Sequence, residues 1–138
     1  MIATLAQNPL IRQFLRFGTV GMVGFVFDVA TVYALAGPLG LYAAGVVAYV
    51  VAASVNWALN RVWTFNTAPR EAMGRQWAAF LLVNLVGFVI NRGLYMGLIY
   101  SSPLCAAYPV LAILAGVLAG MFLNFGLSRR YVFRGRTA

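Results

Sequence analysis

The chain has 138 residues, 63% of them apolar, with ten basic residues, two acids and no histidine, for a net charge of +8. Its mean hydropathy of +0.87 lies far outside the range of soluble domains, about a quarter of whose residues are charged. All ten basic residues are arginine, and the acids are Asp28 and Glu71. Without histidine there is no imidazole base or ligand, and Cys105 alone supports neither an intrachain disulfide nor a thiolate metal cluster. Two acids far apart in sequence make a poor carboxylate dyad or cation cage. In so apolar a chain the positive charge points to membrane orientation and anionic lipid, not to nucleic acid. The chain reads as an integral membrane protein, not an enzyme, with no metal or cofactor site.

Four apolar stretches follow in order: 14–35, 41–60, 77–100 and 104–127. Each holds the roughly 20 residues that a spanning helix needs. Asn8-Pro9 reads as an N-cap followed by a helix-start proline, so the first helix begins ahead of the first stretch. Gly37-Pro38 and Gly40 separate the first pair of stretches, and Ser101-Ser102-Pro103 the second. Between the pairs, 61–76 is a polar loop carrying Arg61, Arg70, Glu71 and Arg75. The first stretch is too long for a signal-peptide core and lacks a small-residue cleavage site before Pro38.

The arginines are sorted by side. Arg12 and Arg16 flank the first span, Arg61, Arg70 and Arg75 lie in the middle loop, and Arg129, Arg130, Arg134 and Arg136 follow the last. The loops at 37–40 and 101–103 carry none. The positive-inside rule then places both termini in the cytoplasm and the chain in a cytoplasmic (inner) membrane. So strong a bias argues against a dual-topology antiparallel dimer.

The chain also matches itself. Arg12-Gln13-Phe14 aligns with Arg75-Gln76-Trp77, and at the same offset Gly24-Phe25-Val26-Phe27-Asp28 meets Gly87-Phe88-Val89-Ile90-Asn91. At a slightly larger offset, Asn56-Trp57-Ala58-Leu59-Asn60-Arg61 meets Asn124-Phe125-Gly126-Leu127-Ser128-Arg129. One helical hairpin therefore occurs twice, over 12–65 and 75–133, within a single domain spanning 1–138. The expected fold is all-α: four transmembrane helices as two repeated hairpins related by a pseudo-two-fold axis along the membrane normal. A site is expected at their interface.

Polar residues within the spans are the candidates for it. Ala44, Ala48, Ala52, Asn56 and Asn60 recur every fourth residue, as do Ala112, Gly116, Gly120, Asn124 and Ser128. Each series lies on one helix face, where small residues permit close packing and amides can bond across the seam. Asn84 and Asn91 share a face of the third span, with Arg92 about 100° further round. Asp28 and Arg92 stand at matching depth, and a neutralising pair between them is the economical expectation, as a lock or a gate. At the cytoplasmic boundary Arg12, Arg16, Arg61, Arg75, Arg129 and Arg130 are either membrane anchors or a guanidinium cluster for a phosphate. Trp63, Trp77 and Tyr131 fit an interfacial belt.

The stretch from Phe14-Leu15-Arg16-Phe17-Gly18 and, above all, Asn56-Trp57-Ala58-Leu59-Asn60-Arg61-Val62-Trp63-Thr64-Phe65 resembles the GtrA-like family of small four-helix membrane proteins. The likeness runs from about Phe14 to Phe133, although the second copy of the motif has Ser128 for Asn and Val132 for Thr. It implies flipping of a polyprenyl-phosphate-linked sugar, typically undecaprenyl-phosphate glucose, between leaflets of a bacterial membrane for cell-surface polysaccharide or glycolipid synthesis. Partner glycosyltransferases would make and use that lipid. The residues permit this: arginine suits the phosphate, bundle amides suit sugar hydroxyls, and the tail stays among membrane lipids. A small bundle, alone or as a parallel homo-oligomer, then suffices. No nucleotide-binding motif offers ATP drive. Two other readings compete: a non-transporting subunit that anchors such a glycosyltransferase, and a small multidrug exporter using Asp28, which Arg92 and the basic entrance disfavour.

Overall fold

A computed structural model describes residues 1–66, 68, 72–133. Among the described residues all regular structure is helical. A short helix α1 (Ile2–Ala6) precedes α2 (Pro9–Leu59); α3 (Met73–Ser101), α4 (Pro103–Ala107) and α5 (Pro109–Leu127) follow. Asn60–Thr64 and Ser128–Val132 are single π-helical turns, π1 and π2, that extend α2 and α5. Among the described residues three helical runs, Pro9–Thr64, Met73–Ser101 and Pro109–Val132, are long and apolar enough to cross a membrane. Their outward surface is dominated by Leu, Val, Ile and Phe, as a hydrocarbon solvent requires.

The start of α2 follows from the expected cap: the Asn8 side chain accepts from the Leu10 amide at 2.9 Å, with Pro9 in the first turn. A straight helix of 51 residues would reach about 77 Å, more than twice the hydrocarbon thickness. It is not straight. Gly40 adopts φ 79°, ψ 163°, inside the run and two residues after Pro38. The halves then pack antiparallel: Arg16 bonds to Trp63, Phe17 meets the Phe65 ring, and Gly24 abuts Asn56. Each of these pairs is centred close to Gly40.

The second half is built alike. Gly87 of α3 abuts Asn124 of α5, and Gln76 and Phe80 reach π2 and Phe133. The reversal here is longer than expected. Tyr108 leaves helical geometry at φ −126°, ψ 77°, splitting the expected 104–127 stretch into α4 and α5. Pro109 is the cause, because its ring crowds the helical conformation of the residue before it.

The main core lies at the arginine-bearing end. Phe17, Phe65, Phe80, Phe125, Val132 and Phe133 form one buried cluster drawn from both halves. Phe65 and Phe133, which are repeat mates, stack at 4.7 Å with their rings 13° from parallel. Their flanking contacts also match: Phe17 meets Phe65 edge-on at 6.3 Å, and Phe80 meets Phe133 at 5.9 Å.

Candidate functional site

Above this aromatic floor a cavity of about 810 Å³ opens between the halves. Its polar lining comprises Asn56, Asn60, Asn84, Asn91 and Asn124, with Thr19 and Tyr49; Phe17, Phe25, Phe80, Phe88 and Met121 supply much of the apolar wall. Among the described residues no charged side chain lines it. The five asparagines expected from sequence are thus brought together, and of the two readings open for them, packing glue or a polar site, no hydrogen bond between their side chains is seen among the described residues. Among the described residues the carbonyl oxygens of Asn56, Asn60 and Asn124 are buried without a partner, and Asn60 is only 1% exposed. Leaving such a group unsatisfied costs about 1–3 kcal/mol. The physical reason is the opposing surface: Asn56 faces Gly24 and Asn124 faces Gly87, and glycine offers neither side-chain donor nor bulk.

Asn84 differs, because its amide donates to the Phe80 carbonyl at 2.9 Å. Asn91 packs against Gly116 and Gly120, where an added Cβ at Gly116 would stand 2.7 Å from the Asn91 carbonyl. Ser128 is fully buried and its hydroxyl is also unpartnered, but it lies outside the cavity lining, as does the unpartnered Thr64 hydroxyl. Tyr49 ties the wall together by donating its hydroxyl to the Leu81 carbonyl at 2.6 Å.

Beneath the floor, the arginines divide. Arg61 donates to the Gln76 side-chain oxygen, which also accepts from the Trp57 indole at 3.1 Å. The Gln76 amide in turn donates to the Val132 carbonyl at 3.4 Å, so one buried glutamine ties π1 to π2. Arg129 makes the reciprocal contact, with Nε donating to the Gln13 side-chain oxygen at 3.3 Å. Gln13 and Gln76 are repeat mates, as are Arg61 and Arg129, so each half's arginine bonds to the other half's glutamine. Sequence reasoning met both glutamines only as letters in the repeat; their recurrence beside Arg12 and Arg75 was the available signal.

Arg16 donates to the Trp63 carbonyl at 3.2 Å and lies over the Trp63 ring at 5.4 Å. Arg12, Arg75, Arg129 and Arg130 are exposed, and Arg130 lies over Tyr131. Arg70, Glu71, Arg134 and Arg136 fall outside the described residues. The expected Asp28–Arg92 pair is not formed: among the described residues no ion pair joins them. Asp28 is half-buried, whereas Arg92 is exposed and lies over the Phe88 ring at 5.7 Å. The cause is helical phase. Arg92 stands a further 100° round α3 from Asn91, the repeat mate of Asp28, and that step turns it outward.

Residues 16–133 match the family model described as GtrA/DPMS, transmembrane domain. The chain belongs to the GtrA/DPMS transmembrane family. That family is associated with the handling of polyprenyl-phosphate sugars and is not known as catalytic. A relative in Bacillus subtilis (strain 168), "Uncharacterized membrane protein YngA", is 29% identical over 119 residues, covering 86% of this chain and 77% of that protein. The GtrA/DPMS match takes in every cavity-lining residue, the aromatic floor and all the bonded arginines; it excludes Arg12 and Gln13.

Proposed function

We propose that this GtrA/DPMS protein carries a polyprenyl-phosphate-linked sugar, undecaprenyl-phosphate hexose in the simplest case, from the cytoplasmic to the outer leaflet. The observation that carries this reading is a cavity, uncharged among the described residues, whose lining asparagines hold three buried and unpartnered amide oxygens, set directly above a guanidinium-rich floor. A sugar offers hydroxyl donors to those oxygens and apolar C–H faces to the phenylalanines. Its phosphate is excluded from an uncharged cavity by desolvation and is suited to the arginines, above all Arg61 and Arg129. The prenyl tail stays in lipid, which is why so small a bundle is enough. Such a lipid serves cell-surface polysaccharide or glycolipid synthesis, with polyprenyl-phosphate glycosyltransferases as partners.

The topology that goes with this reading has the chain crossing an inner membrane four times, both termini cytoplasmic, as two hairpins about a pseudo-two-fold axis. The arginine distribution supports the orientation. The reciprocal Arg–Gln bonds, the Phe65–Phe133 stack and the paired Gly–Asn contacts support the axis.

The test is reconstitution of the purified protein in liposomes with labelled undecaprenyl-phosphate hexose, timing the appearance of sugar on the opposite leaflet. The parent accelerates transfer, and Arg61→Ala and Asn60→Ala each abolish the acceleration. No acceleration over a set of sugars, combined with a change in the activity or abundance of a co-expressed glycosyltransferase, would move the function to an anchoring subunit.

A further inference from the structure

The repeat implies two equivalent seams between the halves: one where the second limb of α2, after Gly40, meets α3, and one where its first limb meets α5. Near the floor the two agree. Trp77 donates its indole N–H to the Ser54 hydroxyl at 2.8 Å in the first seam, and the repeat mates of that pair, Phe14 and Phe122, stack at 4.9 Å in the second. One helical turn further along α3 the equivalence fails. The first seam is barred by the Tyr49 hydroxyl, which donates to the Leu81 carbonyl. The mates of Tyr49 and Leu81 are Val117 and Gly18, which offer no side-chain donor and far less bulk.

Met121 reaches across that gap: a Cβ added at Gly18 would stand 2.5 Å from its terminal methyl group. Methionine is unbranched and adaptable, so it is a movable filler. Nearby, Gly21 is exposed, and a Cβ there would meet nothing within 4 Å. The cavity runs out to this seam. Met22, Phe25 and Val117 line it and yet are 74%, 68% and 46% exposed, so they border both the cavity and the surrounding hydrocarbon. Phe88, the mate of Phe25, is exposed as well, but the Arg92 guanidinium lies over its ring at 5.7 Å, and an apolar ligand there would meet a charge.

We propose that the seam between the first limb of α2 and α5 binds the prenyl chain of the substrate lipid, at the isoprene units next to the phosphate. This rests on the translocation reading above. The substrate is one molecule: with its sugar in the cavity and its phosphate at the arginines, the chain must leave the bundle through a gap that reaches hydrocarbon. Isoprene units carry no hydrogen-bonding group, so they suit a gap walled by Met22, Phe25, Val117 and Met121. Within each hairpin the close Gly24–Asn56 and Gly87–Asn124 contacts leave no such gap. The broken symmetry thus sets the side of the bundle along which the chain travels as the head group crosses.

The probe is undecaprenyl-phosphate hexose with a diazirine on the isoprene unit next to the phosphate, photolysed with the full chain in phosphatidylcholine nanodiscs and mapped by mass spectrometry. Labelling is expected at Met22, Phe25, Val117 and Met121, competed by unlabelled undecaprenyl-phosphate hexose and not by an equal excess of phosphatidylglycerol. Val117→Tyr, which copies Tyr49, and Gly21→Leu, which fills open space, should each remove that labelling from the seam; the parent's map decides by itself if a variant does not fold. Competed labelling concentrated elsewhere, around Tyr49 or Phe88, overturns the proposal and leaves translocation standing, as does seam labelling that both folded variants retain. Displacement by phosphatidylglycerol also overturns it, because the seam would then hold bulk acyl chains. If the parent gives no competed labelling at any residue, the seam site and the translocation reading both fail.

Discussion

Asn60 and Gln76 are both buried amides, 1% and 2% exposed, yet they sit in opposite situations. Gln76 has its oxygen and amide occupied by Arg61, Trp57 and Val132. Replacing it by leucine strands an indole, removes a guanidinium acceptor and leaves a carbonyl unmatched. Gln76→Leu is therefore expected to destabilise the fold by about 3 kcal/mol, read from denaturant unfolding of the purified protein. Asn60 carries an oxygen with no partner, so Asn60→Leu removes a cost and is expected to leave stability unchanged or raise it by up to about 1 kcal/mol. The same substitution is expected to eliminate the proposed sugar transfer, read in the liposome assay. Stability and transport thus move in opposite directions at Asn60 and fall together at Gln76. A fall in stability at Asn60 would mark its amide as structural. The asparagines were legible in sequence as polar residues at four-residue spacing, but their lack of partners was not. That lack depends on which residue stands opposite, and Gly24 and Gly87 are brought there only by the fold.

At the scale of elements, the reversals and the close approaches decide the architecture. Gly40 holds φ 79° with ψ 163°, a region essentially restricted to glycine. Gly40→Ala should cost about 1–3 kcal/mol in thermal or denaturant unfolding, whereas Gly37→Ala, with open space around the added Cβ and no positive φ, should cost less than half as much. Within α3, Gly87→Ala would drive a methyl group into the Asn124 carboxamide, while at Gly93 the added methyl meets nothing within 4 Å. Gly87→Ala should therefore lower the melting temperature and impair sugar binding together, and Gly93→Ala should do neither. The break near Gly40 was readable from Gly37-Pro38 and Gly40, and the helix start from Asn8-Pro9, because both are local chemistry. The split at Tyr108 was also local, yet Pro109 was absorbed into an apolar run. The π turns were not readable. Their i→i+5 bonds, Phe65 to Asn60 and Phe133 to Ser128 at 2.8 Å each, widen the helix at equivalent places in the two halves. Only the recurrence of the Asn-aromatic motif marked the spot.

For the whole molecule, the repeat has a mechanical consequence. The two halves are held together at one end by contacts that cross between them: Arg61 to Gln76, Arg129 to Gln13, and the Phe65–Phe133 stack. Above those contacts lies the cavity, and a head group arriving from the arginine side must pass them. None is an ion pair, and the glutamine oxygens are neutral acceptors that a phosphate can replace at Arg61 and Arg129 with stronger, charge-assisted bonds. Substrate phosphate would then loosen the same contacts that close the floor, so that binding and opening are one event. Joining the halves at this point should stop transport without unfolding the protein. With Cys105→Ser removing the native thiol, Phe65→Cys/Phe133→Cys treated with a short, cleavable bifunctional thiol reagent should lose sugar transfer in liposomes. Transfer should return to the level of the uncrosslinked double variant when the linker is cut. Each single cysteine variant, treated identically, should be unaffected by the reagent. Transfer that continues at full rate through the crosslink would mean that the floor never opens, and that the head group enters the cavity sideways from the lipid.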